Sequence, residues 1–80
     1  MSKKLYMLER ADGVNWDEYR GFVIAADDEE EARTLANTSR GDENRGDGKF
    51  WSDPSIQVIL LAKRSELRVS MIVLSEFNAG

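Results

Sequence analysis

The chain has no cysteine and no histidine, a single proline, and aromatic side chains at only 9% of its 80 positions. Without thiol or imidazole, the sequence excludes disulfide frameworks, cysteine nucleophiles, thiolate or histidine metal sites and the usual proton shuttle of neutral-pH catalysis. Long apolar runs are missing too. The richest, around Ile59 and Ile72, fall far short of the roughly 20 residues that cross a bilayer as a helix. The segment Met1 to Arg10 is interrupted by Glu9 before it resembles a secretory signal, so a cytoplasmic protein without membrane contact is expected. Excess positive charge is also lacking. Eleven Lys and Arg stand against fifteen Asp and Glu, a net charge of −4, which argues against direct nucleic-acid binding.

What is present fits one small domain. A chain of this length buries only about 60% of the surface its unfolded form exposes, so its core is thin and its stability marginal unless chains associate. From Lys3 to Arg10, Leu5, Tyr6 and Leu8 predict a first strand that stops at the turn pair Asp12-Gly13. After a polar stretch and Gly21, Phe22 to Ala26 reads as a short buried strand, paired with the first as a hairpin with a long loop. Asp28 and Glu31 then have capping-box spacing in an acidic first turn, which suits the positive end of a helix dipole. Ala32, Leu35, Ala36 and Ser39 form the helix stripe, Glu29 is set to pair with Arg33, and Gly41 supplies a stop. A Gly-rich loop of about residues 40–53 follows. Ile56 to Ala62 and Val69 to Leu74 are apolar at almost every position, with Arg64, Ser65 and Glu66 between them, and predict a second hairpin. The tail from Glu76 to Gly80 either extends the sheet or reaches toward a partner. The expected fold is therefore α+β: a ββαββ domain, mainly antiparallel, with one helix packed on one face. Both later strands carry apolar residues on alternate sides, and one short helix covers one face only, so the second cover is expected to be another copy of the chain.

The motifs for catalysis fail on inspection. Asp42 and Asn44 begin like a calcium loop, but Gly46, Asp47 and Asp53 occupy positions that need other residues, and no metal or cofactor is expected. No phosphate-cradling glycine loop, no activated serine and no carboxylate pair in an apolar setting is present. The expectation is a non-enzyme. Two surfaces remain. Trp16, Tyr19 and Arg20 lie near the first loop, while Arg45 and Trp51 lie in the second. Together they form a candidate site where aromatics stack on a planar ligand and arginines meet phosphate. The competing reading makes the tryptophans lids over a small core. The acidic run Asp27, Asp28, Glu29 and Glu30 is the candidate docking surface for a basic protein partner, against the plainer reading of helix capping.

The combination of Asp17-Glu18-Tyr19 before Phe22-Val23, the helical Glu31-Ala32-Arg33, Trp51 ahead of Pro54 and the terminal Phe77-Asn78-Ala79-Gly80 resembles small uncharacterised accessory proteins of phages and prophages. The resemblance implies a context: a binding protein that inhibits host antiviral defence by capturing a host protein or a nucleotide signal. A structural or regulatory accessory protein acting through homo-oligomerisation is the alternative. It implies no residue roles.

Overall fold

The computed structural model describes residues 3–10, 18–39, 41, 44, 46, 48–65 and 67–78. These form one four-stranded antiparallel sheet and one α-helix, in the order β1 (Lys4–Glu9), β2 (Glu18–Ala26), α1 (Glu29–Ala36), β3 (Gln57–Ala62) and β4 (Met71–Asn78), with a 3₁₀ turn at Phe50–Ser52 ahead of β3. The α+β architecture with ββαββ order is as the apolar pattern predicts. Strand β2 starts four residues earlier than the Phe22 boundary, because Glu18 and Tyr19 pair with Asn78 and Phe77. The same pairing draws the tail, through Asn78, into the sheet.

The second hairpin does not exist. Strand order is β3-β1-β2-β4, so β3 and β4 flank the central β1-β2 hairpin at opposite edges. Residues 63–70 cross the end of the sheet between them, a span of about 14 Å that eight residues cover with slack. Strand β1 fixes this crossing: the Lys3 amide donates to the Leu67 carbonyl (2.8 Å) and Ser65 Oγ donates to the Lys3 carbonyl (2.7 Å).

Side chains alternate across the sheet. On one face Tyr6, Leu8, Phe22, Ile24 and Ala26 meet Ala32 and Ala36 of α1, together with Trp51 and Ile56, and form the buried core. Small alanines let the helix lie close to the sheet, and Trp51 supplies the volume they lack. Helix α1 begins as its sequence dictates. Asp28 caps the Glu31 amide (2.8 Å), and Glu31 reaches back to the Asp27 amide (2.8 Å). It ends at Asn37, before Ser39 and Gly41. The hairpin needs its glycine at position 21, where a Cβ would stand 2.6 Å from the Leu8 carbonyl oxygen.

Candidate functional site

Trp51, a predicted stacking residue, is a core residue. It is 0% exposed and packs edge-on against Phe22 and Phe50, with ring centroids 4.9 and 5.4 Å away. It therefore offers no face to a ligand, and the lid reading describes it. Tyr19, stacked on Phe22 at 5.0 Å, packs against the same core. Arg20 is exposed on β2. Trp16 and Arg45 lie outside the described residues, as do Asp42 and Asp47 of the calcium-like loop. Of the predicted aromatics, Tyr19 and Trp51 therefore meet on Phe22 inside the core.

Three polar residues hold the long connection to the helix, although the sequence points to Arg33 only as a partner for Glu29 and to Asn44 only within a calcium-like loop. Arg33 donates to the carbonyls of Trp51 (3.1 Å), Asp53 (2.8 Å) and Ile56 (2.9 Å), and to the Glu29 carboxylate (3.2 Å). Asn37 accepts from the Trp51 amide (2.8 Å) and donates to Ser52 Oγ (2.7 Å). Asn44 donates to the Asn37 carbonyl (2.7 Å) and accepts from the Phe50 amide (3.0 Å), which commits its amide group to the loop. Beside this framework the Arg10 guanidinium lies 4.9 Å over the Phe50 ring and donates to the Tyr19 carbonyl (3.1 Å). A helical Arg or Asn reads from sequence as a solvated surface residue, so nothing in its spacing points to a clip.

The acidic run is exposed, and most of it serves the helix start. Asp27 pairs with Lys3 (2.9 Å), Asp28 is the N-cap, and Glu29 pairs with Arg33. Glu31 also accepts from Ser70 Oγ, tying the start of α1 to the approach of β4. Titration shifts follow these local bonds. Hydrogen bonding to Asp27 raises Lys3, burial raises Tyr6, and the Ser55 amide donating to Asp53 (2.8 Å) lowers that carboxyl. Among the described residues no group of three or more acidic, histidine or cysteine side chains is placed to hold a metal ion, and no helix is long and apolar enough to cross a membrane.

Among the described residues, the surface that no element covers is the other face of the sheet. Register places Leu5, Met7, Val23, Ile59, Met71 and Leu74 on the side away from α1. Met71 is 42% exposed and Leu74 is 63% exposed. Ala25, between its register partners Leu5 and Met71, is the one fully buried residue of this face. Leu61 and Val73, beside the register shifts of β3 and β4, add exposed apolar surface. Large contiguous apolar patches are rare on the surfaces of monomeric soluble proteins. The chain matches no family model, no curated protein and no solved structure.

Proposed function

We propose that this chain is a non-catalytic interaction protein that works by burying its open sheet face against another polypeptide. The observation that carries this is the run of apolar positions from Ile59 on one edge strand, through Met7 and Val23, to Leu74 on the other, with no helix over it among the described residues. In the phage-accessory setting that its sequence resembles, such a surface suits an assembly component, or a blocker seated on a host defence protein. Capture of a nucleotide signal has less support, since Trp51 is enclosed and Tyr19 is packed on Phe22.

The test is a pair of charges on exposed apolar positions of the face, Met71→Lys with Leu74→Glu. Native mass spectrometry of the unaltered chain, alone and after incubation with host lysate, is expected to show a bound polypeptide that the double variant lacks. Calorimetric titration with a panel of cyclic and ADP-ribose nucleotides should give no heat. A nucleotide that binds, with polypeptide association unaffected by the charges, overturns the reading.

A further inference from the structure

We infer that the polypeptide on the open face is a second copy of this chain, joined face to face with its strands running opposite to those of the first. The inference rests on the reading above and names its partner.

Three observations lead there. First, the face is wholly apolar where it is widest, with Leu5, Met7, Val23, Ile59, Met71 and Leu74 in adjoining register positions. Interfaces that form and separate carry polar groups, whereas permanent ones resemble a core cut in half. A face of this kind needs a partner present whenever the chain is, and a chain's own copy meets that need.

Second, the area suffices. Four strands spaced about 4.8 Å apart and about six residues tall give roughly 400 Å² in projection, and two such faces with side-chain relief reach about the 1,000 Å² a specific interface requires. Sheets packed about 10 Å apart would give the molecule a second core layer to supplement its thin first one.

Third, the sheet has unlike ends. At the end where β1 finishes stands Glu9, exposed and on the same side of the strand as Leu5 and Met7. Arg10 and Arg20 are also at this end, but Arg10 lies over Phe50 on the helix side. At the opposite end, where β3 finishes and the crossing runs to β4, Lys63, Arg64 and Arg68 are exposed. Lys3 and Lys4 are there too, both bonded to Asp27, while the acidic start of α1 belongs to the layer behind the sheet. A two-fold axis running across the strands places each Glu9 end over the partner's basic end. An axis along the strands would set the two copies' Lys63, Arg64 and Arg68 ends together. The first arrangement brings Glu9 toward the partner's Lys63 and keeps both helices outside, with the strand directions aligned as two packed sheets prefer.

Sedimentation equilibrium of the full chain, with Leu74→Glu, Glu9→Lys, Lys63→Glu and the combined charge exchange, tests this. The expected result is a dimer at micromolar concentration. Leu74→Glu should raise its dissociation constant about 100-fold or more, because the carboxylate is buried twice per dimer. Each single charge reversal should weaken the dimer about three- to tenfold, and the combined exchange should restore it. Circular dichroism checks folding; all three positions are exposed, so the isolated chain should tolerate the changes. A monomer at 100 μM, or a dimer indifferent to Leu74→Glu, overturns the inference. Reversals that are not restored in combination overturn the opposed arrangement. Where the chain alone is monomeric yet loses a lysate protein on Leu74→Glu, the inference fails and the broader reading stands; where no polypeptide depends on Leu74, both fail.

Discussion

Trp51 shows how much one side chain carries in a core lined by alanines. Enclosed between Phe22, Phe50 and the helix, it should destabilise the fold by about 3–5 kcal/mol when replaced by alanine, measured by urea denaturation. From sequence, a tryptophan between glycines and a proline reads as a ligand platform or, with somewhat more weight, as a lid. Only the contact with Phe22, distant in the chain, decides. Arg33 carries a polar counterpart of that role. Arg33→Ala removes the guanidinium donor from the carbonyls of Trp51, Asp53 and Ile56 and should cost about 1–3 kcal/mol, with lysine restoring little because it has no planar fork. Individual groups also set the pH limits of the fold. Lys3 and Tyr6 have folded pKa values above their ordinary 10.5 and 10.0, so their contributions are whole below about pH 10 and are lost as pH rises through the folded values. Asp53 lies below its ordinary 3.8, so its contribution is present above that value and is lost as pH falls through the folded one. Thermal midpoints measured across pH should therefore fall in alkali, and Tyr6→Phe should remove part of that fall.

At the scale of elements, the helix start and the strands are legible because their signals are local. Asp28 and Glu31 satisfy each other's neighbourhood within four residues, and β-favouring runs need only alternation and a turn to be recognised. Asp28→Ala should lower stability by about 1 kcal/mol, seen as a lower thermal midpoint with the same far-ultraviolet spectrum outside the helix bands. Gly21→Ala should cost about 1–3 kcal/mol, because the Leu8 carbonyl stands in the path of the new methyl group. Strand order is not local. Residues 63–70 suit a hairpin loop by composition, yet Ser65 and Leu67 are bound to Lys3 at the start of β1, and the chain crosses to the far edge. The pairing of β1 with β2 already occupies the centre, leaving each later strand one free edge. The candidate site was legible to a lesser degree. Apolar residues on both faces of β3 and β4 signalled an uncovered face, but the central contribution of Met7 and Val23 follows from register alone.

The whole molecule is a sheet with one dry face and one bare face, and the two impose different requirements. Helix α1, Trp51 and the Arg33 clip complete the first within the chain. Nothing among the described residues completes the second, and the exposed Lys63, Arg64 and Arg68 at one end, with Glu9 at the other, favour an opposed copy over a parallel one. Met7 and Met71 lie on this face, whereas the third methionine is Met1, outside the described residues. Their methyl groups are therefore direct reporters of what covers it. The decisive measurement is an isotope-filtered nuclear Overhauser experiment on an equimolar mixture of methionine-methyl-labelled and unlabelled chains. The account predicts intermolecular contacts from the Met7 and Met71 methyls to apolar protons of the second copy, such as those of Val23, Ile59 and Leu74. Methyl signals with no intermolecular contact, broadened strongly by a soluble paramagnetic agent, would show a face open to water and contradict it.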